Sequence, residues 1–388
     1  MKKICILGSG RQGTATAYDI LRFYSNCQLT FADANLQNAE KAQKRIKKLI
    51  NIETRTFKIN VHKKKELINF LSEFDIFLSS VPYEFNPYLT DVAIESNTSM
   101  VDLGGHTLNV RKQLKKNNLA KNAGITIVPD CGMGPGMNIS VALIGMESMD
   151  NPEEVYILDG GLPLEPKAPW NYNLFFNIAG LTNEYDGVAF FIEEKKIKEV
   201  ACFEYIEKIK FDKVGVLEAA VTSGGLSTMP WTYEGELKVL HNKTLRYPGH
   251  WDKMIAYRQL GLFSEEKIAF ENSMISPREF YHRILEPQIM IEEPKDLCIM
   301  RVKVIGENKG NPVTTIIDIQ DEYDHKTGFL AMEKWTGWHA SIMMIEILNE
   351  NVEKGVIPIE KALSGSVFHK RAILRGYDFK IHIKSQLN

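Results

Sequence analysis

A glycine-rich turn near the N-terminus constrains the fold more than any other feature of this 388-residue chain. The apolar run Lys3–Leu7 leads directly into the sequence GSGRQG at residues 8–13, and a helical stretch follows from Thr14 to Tyr24. A strand, a GxGxxG turn and a helix in this order form the phosphate-binding unit of dinucleotide-binding folds. The three glycines permit a tight turn, a close approach of pyrophosphate to the backbone, and close packing of helix on strand. The start of the helix adds unpaired N–H groups and the positive end of its dipole.

Asp33 lies where the second predicted strand, Gln28–Ala32, ends. A carboxylate at this position accepts hydrogen bonds from the ribose hydroxyls and repels a 2′-phosphate, so we predict NAD as the cofactor. The predicted cofactor-binding residues are Gly8, Gly10, Arg11, Gln12, Gly13, Asp33, Ser80, Val81 and Pro82.

Short apolar runs alternate with helical stretches up to about residue 130, which is typical of a doubly wound parallel sheet. The six strands predicted there are 3–7, 28–32, 57–61, 75–80, 99–103 and 125–129. Strand-like segments then follow one another at 155–158, 188–193, 197–203, 237–240, 297–305 and 314–321. We therefore predict an α/β fold with a Rossmann domain at residues 1–150 and a second α/β domain at residues 151–335, built on a largely antiparallel sheet. A strong amphipathic helix is predicted from His339 to Lys354.

Composition is ordinary for a globular protein and argues against several partners. The net charge of −2 gives no broad basic field, which argues against nucleic acid. No apolar run approaches the ~20 residues of a membrane span. The five cysteines are scattered, which suits a reducing cytoplasm better than a disulfide framework, and no Cys or His cluster has the spacing of a zinc site. The N-terminus enters a predicted core strand directly, so we expect no signal peptide and a cytoplasmic location.

Two aspartates open glycine-rich loops after predicted strands. Asp130 begins DCGMGPGMN, residues 130–138, and Asp159 begins DGGLP, residues 159–163. Each aspartate is a candidate acid or base, or a structural residue that caps the turn after it. Arg246, in the segment TLRYPGHW, is a fork-shaped donor that can hold a carboxylate, and the alternative is a surface salt bridge.

The chain resembles the saccharopine dehydrogenase superfamily, and within it most the lysine 6-dehydrogenases. The resemblance rests on GSGRQG, SSVPYEFN, PDCGMGPGMN, DGGLP, TSGGLST and TLRYPGHW, which occur in the family's order. It implies that the second domain closes over the cofactor, that a late helix at about 336–370 rejoins the first domain, and that Arg246 helps to bind a substrate carboxylate. Fungal-type saccharopine reductases differ at three positions, with an acidic residue at Gly134, a cysteine at Asp159 and, in general, an arginine at Asp33. These departures favour a smaller amine substrate and NAD.

The leading hypothesis is therefore NAD-dependent oxidative deamination of the ε-amine of L-lysine to 2-aminoadipate 6-semialdehyde, which cyclises, with release of ammonia. Because a lysine amine has a pKa of ~10.4, a base must lie beside it, and Asp130 and Asp159 are the predicted catalytic residues. The predicted substrate-binding residues are Arg246, Gly224, Gly225 and His250. The alternatives are a saccharopine or carboxynorspermidine type dehydrogenase acting on a secondary amine, and a non-catalytic NAD-binding sensor. We expect a homo-oligomer, a dimer or larger, with its contacts in the second domain.

Overall fold

The computed structural model describes residues 1–385, and its first sheet has seven strands that are all paired in parallel. These strands are β1 (Lys2–Leu7), β2 (Cys27–Asp33), β3 (Arg55–Lys58), β4 (Ile76–Ser79), β5 (Ser99–Asp102), β6 (Thr126–Val128) and β17 (Gly355–Val356). Their spatial order is β17-β6-β5-β4-β1-β2-β3, so the direction of winding reverses between β1 and β4. A ligand of such a sheet binds beyond the carboxyl ends of these two strands.

Six helices connect the strands of the first half. They are α1 (Arg11–Phe23), α2 (Leu36–Ile50), α3 (Lys64–Leu71), α4 (Asn86–Ser96), α5 (Thr107–Leu114) and α6 (Asn117–Asn122). Helix α2 is capped at its start by Asn35, whose side chain accepts the Gln37 N–H at 3.1 Å, and is followed by Asn51 in the left-handed conformation (φ 55°). The short buried strands present Ile4, Ile6 and other fully buried side chains to these helices, as expected for a sheet covered on both faces.

The second sheet has nine strands and is mainly antiparallel. Its strands are β7 (Asn151–Pro163), β8 (Val188–Glu193), β9 (Lys196–Ala201), β10 (Glu207–Phe211), β11 (Gly215–Ala220), β12 (Val239–Arg246), β15 (Asp296–Asn308), β16 (Asn311–Glu322) and β18 (Phe379–Ser385). Among the described strands of this second sheet, β7 and β12 are the one parallel pair. A separate hairpin consists of β13 (Ile268–Phe270) and β14 (Ser273–Ile275). The predicted fold class, a parallel doubly wound sheet with a second α/β unit, is confirmed.

Eight further helices belong to the second half. They are α7 (Met137–Met146), α8 (Ile178–Glu184), α9 (Met229–Thr232), α10 (His250–Gln259), α11 (Pro277–Ile289), α12 (Ala331–Leu348), α13 (Ile359–Ala362) and α14 (Gly365–Ile373). No helix within residues 1–385 is both long enough and apolar enough to cross a membrane. Within the same residues, no group of three or more His, Cys, Asp or Glu side chains is arranged to hold a metal ion.

The late helix differs from its prediction in both position and character. Helix α12 ends at Leu348 instead of Lys354, and every one of its residues is buried, so the prediction of an amphipathic helix was wrong. The physical reason is that α12 lies between the two sheets, with α1 on one side and β15 on another. At Gly337 a Cβ would lie only 2.8 Å from the Cβ of Ala15, which shows how closely α12 approaches α1.

Candidate active site

The glycine turn has the geometry of a pyrophosphate site. Gly8 has φ +98°, and the Ser80 hydroxyl donates to the carbonyl oxygens of Gly8 (2.5 Å) and Leu7 (3.1 Å). A Cβ on Gly13 would lie 2.2 Å from the Gly8 carbonyl oxygen, whereas a Cβ on Gly10 would have no neighbour within 4 Å. Helix α1 begins without a side-chain cap, so its first N–H groups face this open space. These residues fit the phosphates of a dinucleotide.

The remaining predicted cofactor residues lie around the same edge of the sheet. Asp33 accepts the N–H of Ser9 at 2.8 Å and that of Asn35 at 2.9 Å, which fixes its carboxylate beside the turn. Arg11 is half-exposed at the start of α1, with its Nε 4.0 Å from Glu333. Gln12 follows it in the same turn of α1. Val81 is partly exposed and Pro82 is exposed, and both follow Ser80 at the end of β4.

Asp130 is a fully buried carboxyl group in a left-handed backbone conformation (φ 60°). It lies against Gly104, where a Cβ would come 1.9 Å from Asp130 Oδ1. Burial, and then the nearby charge of Asp102, raise the pKa of Asp130 to about 8, although the Ser227 hydroxyl and the Gly105 amide lower it slightly. Neither carboxyl oxygen makes a hydrogen bond of good geometry within residues 1–385. Asp130 is therefore protonated at neutral pH.

Asp159, on β7, is held by one oxygen and free at the other. Its Oδ2 accepts the side-chain amides of Asn138 at 2.9 Å and Asn242 at 3.4 Å, whereas Oδ1 accepts no hydrogen bond from the described residues. Burial, and then the charge of Glu184, raise the pKa of Asp159 to about 7. A Cβ at Gly134 would lie 3.1 Å from Oδ2, so the glycine loop packs against this carboxylate. A group with these properties can accept a proton near neutral pH.

Arg246 lies at the end of β12 in a buried ion pair. Its Nη2 is 3.3 Å from Glu184, and its Nε donates to the Tyr185 hydroxyl at 2.8 Å. The same hydroxyl is 3.0 Å from Nε2 of His250. Burial, and then the charge of Arg246, lower the pKa of His250 to about 3, so His250 is neutral. With 3% of Arg246 exposed, its salt bridge is an interior one, and the alternative of a surface salt bridge was wrong.

The loop that contains Gly224 and Gly225 joins the two halves of the site. Asn138 Nδ2 donates to the Gly225 carbonyl at 2.9 Å, the same amide group that holds Asp159. Asn183, at the end of α8, donates to the carbonyl of Gly105 in the first domain at 2.8 Å. Asn138 therefore links Asp159 to the loop of Gly225, and Asn183 links the second domain to Gly105.

Residues 4–128 match the saccharopine dehydrogenase NADP binding domain, and residues 132–371 match the saccharopine dehydrogenase C-terminal domain. The chain belongs to the saccharopine dehydrogenase family. This confirms the family predicted from the sequence motifs, and the match over residues 4–128 indicates a nicotinamide dinucleotide cofactor.

Two curated relatives in the saccharopine dehydrogenase family show the extent of the similarity. The chain is 23% identical over 279 residues to the mitochondrial alpha-aminoadipic semialdehyde synthase of Rattus norvegicus, covering 68% of this chain and 29% of the relative. It is 22% identical over 301 residues to the saccharopine dehydrogenase [NADP(+), L-glutamate-forming] of Pyricularia oryzae, covering 75% of this chain and 65% of the relative. The chain thus spans less than two thirds of the length of either protein.

A solved structure shares the fold. The saccharopine dehydrogenase (L-Glu forming) of Saccharomyces cerevisiae aligns with a TM-score of 0.79 at 17% identity, covering 99% of this chain and 100% of that chain. Enzymes of the saccharopine dehydrogenase family are oxidoreductases acting on CH–NH donors.

Several residues of this site were not predicted from the sequence. Glu184 and Tyr185 are adjacent in the chain and contact Arg246 about 60 positions later, so no local pattern reveals them. Asn138 lies inside the quoted motif PDCGMGPGMN but was not assigned a role. His106, at the carboxyl end of β5, stacks on Tyr83 with ring centroids 5.6 Å apart. The sequence placed residues 104–106 after a parallel strand, where a ligand is expected, but assigned His106 no role.

Proposed function

We propose that this protein is an NAD-dependent dehydrogenase that oxidatively deaminates the ε-amine of L-lysine. The observation that carries this proposal is Asp159, a carboxylate anchored through Oδ2, free at Oδ1 and with its pKa raised to about 7. Such a group takes a proton from a substrate ammonium near neutral pH, which is the step that amine oxidation requires.

The charges around Asp159 favour a small amino acid with one carboxylate. Arg246 is the guanidinium in this cluster, and Glu184 already pairs with it at 3.3 Å. An amino-acid head group fits such a pair, because its carboxylate can bind Arg246 while its α-ammonium binds Glu184. Saccharopine has three carboxylates, and each further carboxylate needs its own cation.

The chain's residues divide the work between binding and proton transfer. NAD, bound at the glycine turn, would accept the hydride from C6 of lysine. Asp159 removes a proton from the ε-ammonium before that transfer, which leaves the nitrogen lone pair free to form the imine. Water then adds to the imine carbon, Asp159 moves protons between oxygen and nitrogen, and ammonia leaves. The aldehyde and the α-amine of the product can then condense to the cyclic form.

Asp33 supports NAD over NADP. Its carboxylate is fixed at the end of β2 by the N–H groups of Ser9 and Asn35. A ribose with two hydroxyls donates to this carboxylate, whereas a 2′-phosphate brings negative charge against it.

The test is a substrate screen of the purified protein with L-lysine, saccharopine and cadaverine, each with NAD and with NADP. We expect reduced NAD and an equal amount of ammonia from L-lysine. Reduction with saccharopine that releases glutamate and no ammonia would instead support the secondary-amine alternative. Binding of NAD without turnover of any amine would support the sensor.

A further inference from the structure

His339 is a buried histidine to which the proposed reaction gives no role. It lies in the middle of α12, a helix whose residues are all buried, and only 1% of it is exposed. Burial lowers the pKa of the His339 imidazole to about 4, although its contact with the Cys131 carbonyl acts in the opposite direction, so the ring is neutral. A buried neutral imidazole needs one hydrogen-bond acceptor and one donor as partners.

Both ring nitrogens of His339 find such partners in the segment that leads to Asn138. Nδ1 lies 2.9 Å from the carbonyl oxygen of Cys131, and Nε2 lies 3.0 Å from the hydroxyl of Ser140 in the first turn of α7. Because a carbonyl oxygen can only accept, Nδ1 carries the proton and donates, and the Ser140 hydroxyl donates to Nε2. One imidazole therefore connects α12 to both ends of residues 131–140.

Asn138 lies between the two residues that His339 holds. Its Oδ1 accepts the N–H of Gly136 at 3.0 Å and that of Ile139 at 2.8 Å, which fixes the orientation of the amide. Its Nδ2 is then the atom that donates to Oδ2 of Asp159, at 2.9 Å. A displacement of this segment therefore moves the donor that holds Asp159.

The glycine loop, defined here as residues 131–136, depends on outside contacts for its shape. Gly136 has φ +134°, and a Cβ there would lie 2.3 Å from the Gly132 carbonyl oxygen, so the loop turns with backbone against backbone. A segment rich in glycine gains little order from its own side chains. The Cys131 N–H donates to the Asp102 carbonyl at 2.8 Å, and the Cys131 carbonyl accepts from His339.

We propose that His339 is a positioning residue, which keeps the amide of Asn138 against Asp159 by fixing the glycine loop and the first turn of α7. This proposal rests on the role of Asp159 as the base in the proposed function. The Asn138 hydrogen bond favours the ionised form of Asp159 and lowers its pKa, so weakening this bond raises the pKa of the base.

Two substitutions separate the hydrogen bonds of His339 from its volume. His339→Leu removes both nitrogens, whereas His339→Asn keeps an N–H donor near the position of Nδ1 for the Cys131 carbonyl. In His339→Leu we expect the pH of half-maximal kcat/KM for L-lysine to rise by about half a pH unit or more, because complete loss of a hydrogen bond to a charged group changes a pKa by about one. His339→Asn should lie closer to the wild type, and KM for NAD should be unchanged in both variants.

Phe368→Leu is the matched control for packing around the same imidazole. Phe368, on α14, is buried and meets the His339 ring edge-on with centroids 5.4 Å apart, but it takes part in neither hydrogen bond. This substitution should lower the thermal stability and leave the pH of half-maximal kcat/KM in place.

A double variant tests whether His339 acts through Asn138. Asn138→Ala alone should raise the pH of half-maximal kcat/KM by about one pH unit. Adding His339→Leu should bring no further rise, because both changes act on one hydrogen bond. Among the described residues, the titratable groups that face Asp159 are Glu184 on α8, Arg246 on β12 and Cys298 on β15, and these variants leave all three in place.

A direct titration of Asp159 distinguishes failure of this proposal from failure of the proposed function. NMR of the full chain with 13C-carboxyl-labelled aspartate, assigned by the signal that Asp159→Asn removes, gives the pKa of Asp159 without any substrate. A raised pKa of Asp159 in folded His339→Leu supports the positioning role even if no amine is oxidised, in which case the proposed function alone fails.

An unchanged pKa of Asp159 in folded His339→Leu overturns the positioning role, and so does an equal rise in Phe368→Leu. If His339→Leu does not fold, Ser140→Ala takes its place under the same criteria, because it removes one of the two hydrogen bonds with a smaller change in volume. Circular dichroism of each variant establishes which of them are folded.

Discussion

Replacing Asp159 with asparagine isolates its role as a base. The side-chain shape is conserved, and the new amide oxygen can still accept the Asn138 amide that now lies 2.9 Å away, so the site should keep its geometry. What is lost is the ability to take a proton from the ε-ammonium. The variant must then select the lysine molecules whose amine is already neutral.

The size of the defect follows from the acidity of the amine. With a pKa of ~10.4, about one lysine in 250 has a neutral ε-amine at pH 8, and about one in 25 at pH 9. We therefore expect Asp159→Asn to lower kcat/KM by roughly 250-fold at pH 8 and roughly 25-fold at pH 9. In the wild type, kcat/KM should rise with pH through about 7, because a base acts in its ionised form and the pKa of Asp159 is raised to that value.

The assay is initial-rate reduction of NAD by L-lysine between pH 6 and pH 10. Asp130→Asn is the matched control, since it also removes a buried carboxyl group from a glycine loop, and it should keep the wild-type pH profile. A defect of Asp159→Asn that is independent of pH would refute the reasoning, because it would show that the carboxylate contributes something other than proton removal. A large pH-dependent defect in Asp130→Asn alone would move the base to that residue.

Three further predictions follow from other contacts. Asp33→Ala should lower the ratio of kcat/KM for NAD over NADP at least tenfold, and an unchanged ratio would show that cofactor choice lies elsewhere. Asp130→Asn should stabilise the fold at alkaline pH, because the folded-state pKa of about 8 exceeds the unfolded value. The wild type therefore loses stability as pH rises from about 4 to about 8. The free energy of unfolding of Asp130→Asn, measured with urea at pH 5 and pH 9, should exceed that of the wild type by a few kcal/mol at the higher pH. Arg375→Leu should lower the free energy of unfolding by roughly 3–5 kcal/mol, since it leaves buried Asp19, now 2.7 Å from Arg375, without its partner. The double variant with Asp19→Leu should recover much of that loss, and no recovery would argue against a direct pair.

The parts of the fold that the sequence predicted are those governed by neighbours along the chain. The glycine turn between β1 and α1 needs only a buried strand, three glycines and a helix start, and all of these lie within residues 2–23. The six strands predicted for the first sheet are also present, because each depends on its own neighbours along the chain. The third lies at Arg55–Lys58 instead of 57–61.

The elements of the fold that the sequence did not predict depend on contacts between residues distant in the chain. Strands β10 and β11 are short, and EKIKF has charged residues at three of its five positions. They are defined by pairing with each other and with β12. Helix α12 contains Glu333, Lys334 and Glu346, which suggest an exposed face. In the structure each of these charges has a partner from another element, such as Arg45 for Glu333 and Asp321 for Lys334. A buried charge that is paired at long range cannot be distinguished from an exposed one by local pattern alone.

The same long-range contacts explain how the site is held between the two sheets. After the second sheet the chain returns through α12 to the first domain, adds β17 beside β6, and then crosses back to place β18 beside β16. The N-terminus of α12 is fixed by Asp296 of β15, which accepts the N–H groups of Ala331 at 2.7 Å and Met332 at 2.8 Å. Its middle packs directly on α1, the helix whose first turn faces the cofactor phosphates. A relative movement of the two sheets must therefore bend several connections at once, because α12 packs on α1 and also on β15, the strand paired with the Asp159 strand β7.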